Sequence, residues 1–347
     1  MKVLIVDDSV VFRSAITSAL EGVSSIKEIQ SVNNGKECIN FLKEHPDTDL
    51  ITLDIEMPVM DGLTTLKEIR KFNSDVNVIV FSASSEISAN KTILALEYGA
   101  DDFLVKTSGN GDISATVNQI KEDLLPMIEV SLEKKSSKNP RETREGKKIK
   151  KSLNTDAGLF VIGASTGGPD VLSRIFSEAK GGSNVPIIIV QHMPPIFTAK
   201  LAEMLNNKSE INVVEAKNGD KLENNKAYIV PGDYHMEVEK DGSSYFIKLN
   251  QNEKVCHVRP AVDVTLKSLA KNYKSKFITV ILTGMGNDGE AGSKDCSKRG
   301  LSVYYQEQET CAVWGMPRAV CRNVPGSEEI KIEEVSFLLT NISRKTL

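Results

Sequence analysis

Asp7, Asp8 and Asp54 stand where short runs of Val, Leu and Ile end, at 3–6 and 50–53. If those runs are strands of one open α/β sheet, their C-terminal ends converge on one edge, where ligands bind. Three carboxylates in one pocket repel each other unless a cation joins them, and a hard, oxygen-only set suits Mg²⁺, which keeps several waters. Ser82 and Lys106 follow two further apolar runs, at 78–81 and 102–105, and bring a hydroxyl and an ammonium to the same edge. Such a set can carry a phosphoryl group on a carboxylate, with the metal and the lysine offsetting its charge. Any one of these residues alone reads as a solvated polar group that punctuates a strand; five at one edge read as a site.

A second set begins at Gly163-Ala164-Ser165-Thr166-Gly167-Gly168-Pro169, directly after the apolar run 159–162. This is G-x-S-x-G on a strand-to-helix turn, where flanking glycines permit a sharp turn that exposes the serine Oγ while the helix N-terminus supplies backbone donors. The same glycines would also suit a phosphate-binding turn. A G-x-G-x-x-G fingerprint fails because Ser165 occupies the second glycine position, and a Walker A loop fails because no Gly-Lys-Ser/Thr follows. A nucleophile needs a base. Of the four histidines, His192 ends the run 186–191 and so reaches the edge that carries Ser165, whereas His45 precedes a proline in the first half and reads as a surface residue. His235 and His257 either line the cleft or are ordinary packed or exposed imidazoles. Asp288 follows Gly284-Met285-Gly286-Asn287 after the run 277–282 and brings an orienting carboxylate. Ser, His and Asp from three strand ends form the constellation that acyl transfer requires. Their chain order differs from the Ser, Asp, His of α/β-hydrolases, which excludes that fold.

The elements that must position these residues follow from the pattern. Five candidate strands (3–6, 28–32, 50–53, 78–81 and 102–105), mostly rich in Val, Ile and Leu, alternate with amphipathic stretches, which predicts a parallel, doubly wound sheet. After residue 151 the rhythm recurs at 159–162, 186–191, 227–230 and 277–282, with a hairpin expected over 234–249 around Asp241-Gly242. Between them, 133–151 carries nine Lys or Arg against three Glu and almost no apolar residue, so it reads as a solvated spacer. A length of 347 residues fits two domains. A net charge of −4 argues against a nucleic-acid binder, which needs a basic surplus. No apolar run approaches the roughly 18 residues that span a bilayer, and the start of the chain lacks a signal-peptide pattern, so a cytoplasmic protein that is not membrane-inserted is expected. Cys38, Cys256, Cys296, Cys311 and Cys321 have no C-x-x-C spacing and read as reduced thiols.

The first 125 or so residues resemble a response-regulator receiver domain, on Asp7-Asp8, the D-x-x-M-P-x-M-D-G run from Asp54 to Gly62, Ser82-Ala83 and Lys106. The resemblance implies a flavodoxin-like fold of five parallel strands and phosphorylation of Asp54 by a chemotaxis histidine kinase. It further implies Mg²⁺ held by Asp7, Asp8, Asp54 and the Glu56 carbonyl, and a phosphoryl switch at Ser82, Phe103 and Lys106. Thr107 departs from the proline usual after the lysine. The second half is similar to the methylesterase domain of the chemotaxis protein-glutamate methylesterases (CheB family). That similarity rests on G-A-S-T-G-G-P, Q-H-M-P at His192, P-G-D-Y-H at His235, R-P-A-V-D at Arg259 and T-G-M-G-N-D-G at Asp288. It implies a doubly wound α/β domain with an antiparallel hairpin, and hydrolysis of glutamate γ-methyl esters on methyl-accepting chemoreceptors, with glutamine deamidation. Ser165, His192 and Asp288 would form the triad, with the Thr166 and Met285 backbone N–H groups as oxyanion donors. Arg259 and His235 are candidates to touch substrate, and no cofactor is expected for the esterase. The expected division is 1–126 receiver, 127–156 flexible linker and 157–347 catalytic domain. The receiver is expected to cover the Ser165 cleft until Asp54 is phosphorylated.

Overall fold

In the computed structural model the described residues are 1–73, 75–106, 113–136 and 153–342. The chain divides into two compact units, Met1–Ile149 and Lys150–Leu347. Thr107 and most of the basic stretch lie outside the described residues.

The first unit alternates β1 (Lys2–Val6), α1 (Val10–Leu20), β2 (Glu28–Val32), α2 (Gly35–Glu44), β3 (Leu50–Asp54), α3 (Gly62–Phe72), β4 (Asn77–Ser82), α4 (Glu86–Glu97), β5 (Asp102–Val105) and α5 (Ile113–Ser136). All pairings are parallel, in the order β2-β1-β3-β4-β5. The central strands β3 and β4 are buried throughout, as expected where helices cover both faces of a parallel sheet. Side chains of Ser9, Asn34, Asp61 and Ser85 cap four of the helices and fix where each begins. The last helix passes Pro126 and continues to Ser136. Ile120, Leu124 and Ile128 pack with Ile16 and Leu20 of α1 in one core cluster, so the first unit's core reaches beyond the boundary expected at 126.

The second unit contains β6 (Phe160–Ala164), α6 (Gly168–Glu178), β7 (Ile187–Gln191), α7 (Phe197–Lys208), β8 (Asn212–Glu215), β9 (Lys226–Ile229), β10 (His235–Asp241) and β11 (Ser244–Asn250). It continues through α8 (Val262–Asn272), β12 (Ile278–Ile281), α9 (Glu290–Lys298), β13 (Ser302–Gln306), α10 (Met316–Asn323), β14 (Glu328–Ile330) and α11 (Ile332–Asn341). Seven strands form a parallel sheet in the order β14-β13-β12-β6-β7-β9-β8. The expected hairpin is the separate antiparallel pair β10-β11. From β6 the chain proceeds one way through β7 to β9, then returns to the other side as β12 and proceeds through β13 to β14. The strand order therefore reverses at β6, and the crevice at such a reversal is where ligands bind in open α/β sheets. No helix among the described residues is long and apolar enough to cross a membrane.

Candidate functional site

Ser165 leaves the C-terminal end of β6 at that reversal. Its N–H donates to Thr283 O at 3.0 Å, while its carbonyl accepts from Gly168 N at 2.8 Å and from the Gln191 side-chain Nε2 at 2.9 Å. The glycines around it have steric causes. A Cβ on Gly163 would lie 2.8 Å from both Val262 methyl carbons; Gly167 adopts φ +72°, and a Cβ there would collide with Ala312. The turn is thus fixed by close backbone approach and by one left-handed residue.

Ala164 pairs with Gln191 across β6 and β7, and the His192 N–H donates to Ala164 O at 3.0 Å, so Ser165 and His192 leave adjacent strands side by side. His192 Nε2 meets Asp288 Oδ2 at 2.8 Å. Asp288 is 2% exposed, yet its charge is well supported. Oδ2 also accepts from Val262 N at 2.6 Å, and Oδ1 accepts from Asp263 N at 3.0 Å and Gly289 N at 2.9 Å. Val262 and Asp263 open α8, whose N-terminal N–H groups and dipole favour an anion. An ionised carboxylate only accepts, so it holds the proton of His192 on Nε2 and leaves Nδ1 as the basic nitrogen. Ser165 Oγ makes no hydrogen bond among the described residues; the nucleophile–base bond of such sites often forms only in the substrate complex.

Met285 is exposed, and its backbone N–H and that of Thr166 donate to nothing among the described residues. A buried polar frame holds their loop. Thr283 Oγ1 donates to Thr166 O at 3.0 Å and accepts from Val313 N at 2.9 Å, and Gln306 Oε1 accepts from Thr283 N at 2.8 Å. Sequence reasoning does not single out Gln191, Thr283 and Gln306. The available signal was a polar residue closing an otherwise apolar strand, as in IIIVQ.

Two residues expected to touch substrate have partners within the protein. His235 is buried at the start of β10, and its Nε2 is engaged by Glu253 O at 3.0 Å. Arg259 is held by its neighbours. Its Nε and Nη2 grip Asp233 Oδ1 at 3.0 and 2.6 Å, and Nη1 donates to Gln251 O and Asn252 O, each at 2.7 Å. It pins a loop, and the same contact holds the Asp233 carboxyl below its ordinary range.

In the first unit, β1 and β3 flank the point where that sheet's order reverses, and carboxylate oxygens of Asp7, Asp8 and Asp54 lie within 4.8 Å of one another. Lys106 Nζ sits 2.7 Å from Asp7 Oδ2 and 2.8 Å from Asp54 Oδ2. Burial alone would lower the lysine's pKa, but the two carboxylates outweigh it and hold the ammonium charged. Asp54 is displaced upward, because burial and the neighbouring Asp7 exceed what Lys106 restores. A divalent cation would relieve that strain, and the all-oxygen donor set fits Mg²⁺. The Glu56 side chain pairs with Lys91 at 3.0 Å. Ser82 Oγ is engaged by Thr92 Oγ1 at 2.6 Å, and Phe103 is buried.

Residues 160–338 match the family described as CheB methylesterase, and residues 3–118 match the response regulator receiver domain. A protein-glutamate methylesterase/protein-glutamine glutaminase of Clostridium acetobutylicum is 36% identical over 353 residues, covering 99% of this chain and 98% of its own. One of the same description from Thermotoga maritima is 38% identical over 324 residues, 92% of each chain. The crystal structure of the Thermotoga maritima CheB methylesterase catalytic domain covers 53% of this chain and 97% of its own, with 40% identity and a TM-score of 0.51. On these matches and the fold that accompanies them, the chain belongs to the CheB methylesterase family, with a response regulator receiver domain ahead of the methylesterase domain.

Proposed function

We propose that this protein hydrolyses γ-glutamyl methyl esters on chemoreceptors, releasing methanol, and deamidates receptor glutamines, in the service of chemotaxis adaptation. The observation that carries the reading is the His192–Asp288 hydrogen bond at the strand ends beside Ser165. Ser165 Oγ attacks the ester carbonyl as His192 Nδ1 takes its proton, and the oxyanion is received by the Thr166 and Met285 N–H groups. Asp288 holds the imidazole in the required tautomer and stabilises the imidazolium. The same proton then goes to the departing methoxide, leaving an acyl-serine. Water, deprotonated by His192, cleaves that acyl-serine to glutamate and restores Ser165. With an amide the leaving group is ammonia.

The receiver would regulate this activity. Asp54 Oδ attacks a phosphohistidine of the partner kinase, with Lys106 beside the transferred group. Mg²⁺ bound by Asp7, Asp8, Asp54 and the Glu56 carbonyl would supply charge neutralisation for that group. Ser82 and Phe103 would report the phosphoryl group to the rest of the chain. In this assignment 1–136 forms the receiver, 153–342 the esterase, and the basic stretch joins them.

The test is methanol release from methylated receptor membranes. Ser165→Ala should lower the rate by about four orders of magnitude or more. Release by that variant at a rate close to the parent would overturn the assignment.

A further inference from the structure

Trp314, the one tryptophan of the chain, holds a donor that no described residue receives. Its indole Nε1 is shielded from solvent and has no hydrogen-bond partner. A buried N–H of this kind ordinarily finds an acceptor, because an orphaned one has lost its water without replacement. Its surroundings say where an acceptor would come from. Trp314 forms a parallel bridge with Gly284. The neighbouring bonds Gly284 N to Val313 O at 3.0 Å, and Gly315 N and Met316 N to Gly284 O at 3.0 and 2.8 Å, lock the 313–316 segment onto this loop. Residues paired across a bridge send their side chains to the same face, about one strand spacing apart. A Cβ built on Gly284 would lie 2.8 Å from Ser165 Cβ. The Trp314 side chain therefore leaves on the face that carries Ser165, beside the loop that holds Met285.

We propose that the Trp314 indole N–H is a substrate-binding donor of the Ser165 cleft, given to an oxygen of the ester or amide group under attack. This inference rests on the ester-hydrolase reading and adds to it a side-chain donor beyond the two backbone N–H groups. The acceptor class is a carbonyl oxygen, or the tetrahedral oxygen that replaces it.

With one tryptophan in the chain, indole-¹⁵N labelling gives one Nε1–H resonance. The full chain would be labelled and treated with an alkyl fluorophosphonate, whose phosphoryl oxygens stand in for the tetrahedral oxygens once Ser165 is modified; mass spectrometry confirms the adduct. The expected result is a downfield move of the indole proton on adduct formation. Trp314→Phe, which keeps a ring and removes the N–H, should lower kcat/KM for methanol release from a methylated receptor fragment by about 5- to 30-fold. An indole resonance unmoved by a confirmed adduct would overturn the inference, and so would a Trp314→Phe rate within twofold of the parent. Failure of the phosphonate to modify Ser165, or hydrolysis independent of Ser165, would instead overturn the ester-hydrolase reading.

Discussion

Asp288 receives four hydrogen bonds, three from backbone N–H groups, so Asp288→Asn would leave most of its surroundings in place while reversing the donor–acceptor sense at His192 Nε2. Methanol release by that variant should fall by about 10²- to 10⁴-fold with little change in melting temperature, a contrast that kinetics and calorimetry read together. Next to it, Asp263 is buried, and burial with the Asp288 charge raises its pKa, partly offset by the Gly292 N–H at 2.7 Å. The folded state then keeps the Asp263 proton to higher pH than the unfolded state. Between the two pKa values the native state binds more protons, so stability falls as pH rises through that window. Asp263→Asn should abolish this slope, and its urea midpoint should gain on the parent as pH rises upward from the ordinary aspartate range. The thiols divide on the same physics. Burial pushes Cys38 and Cys296 up to about 12, so both should resist iodoacetamide at pH 8 until the chain unfolds. Cys256 and Cys321, which are exposed, should label in the native protein.

At the scale of elements, the Ser165 turn depends on where backbone meets side chain. Gly167→Ala places a Cβ against Ala312 at φ +72°, whereas Gly181→Ala, at φ +92°, meets nothing within 4 Å. Both substitutions pay the left-handed strain, but only the first adds a collision, so Gly167→Ala should destabilise by about 1–3 kcal/mol more in denaturant titration and depress the esterase rate as well. The strands that carry chemistry were legible in the sequence because fully buried parallel strands read as unbroken apolar runs. The runs found for β1 to β7, β9 and β12 differ from the strands by at most a residue or two at either end. The missed strands lacked that signal. β14 is Glu-Glu-Ile with two exposed residues, β8 is a four-residue edge strand, and β13 carries Tyr304, Tyr305 and Gln306 in place of an aliphatic run. Ser165, His192 and Asp288 were legible because each lies just past a readable strand. The roles of His235 and Arg259 were not, because a partner such as Asp233 or Glu253 is set by loop geometry, and loops have no period to read.

For the whole molecule, each unit has its own core: one hydrophobic cluster runs from Met1 to Ile128 and another from Leu159 to Val324, with no residue in common. Units so built can unfold independently, and the proposed link between them in function is phosphoryl chemistry at Asp54. In the unphosphorylated state Lys106 spans Asp7 and Asp54, and Ser82 is occupied by Thr92. A phosphoryl group on Asp54 supplies acceptor oxygens that would compete for the ammonium and for the Ser82 hydroxyl proton, so the contacts it would displace are those Ser82 Oγ donates to the Ala83 and Ser88 carbonyls, each at 3.3 Å. If that rearrangement biases the esterase by a coupling of about 1–3 kcal/mol, methanol release should rise about 5- to 150-fold. Acetyl phosphate with Mg²⁺ should produce the rise, and EDTA should abolish it because the acidic pocket then loses the cation that offsets the phosphoryl charge. Asp54→Asn, which has no oxyanion to phosphorylate, should show no response above its own rate. An equal response from Asp54→Asn and the parent would mean that the phosphodonor acts elsewhere, and a parent rate indifferent to phosphodonor and Mg²⁺ would mean that the two units share a chain without sharing a switch.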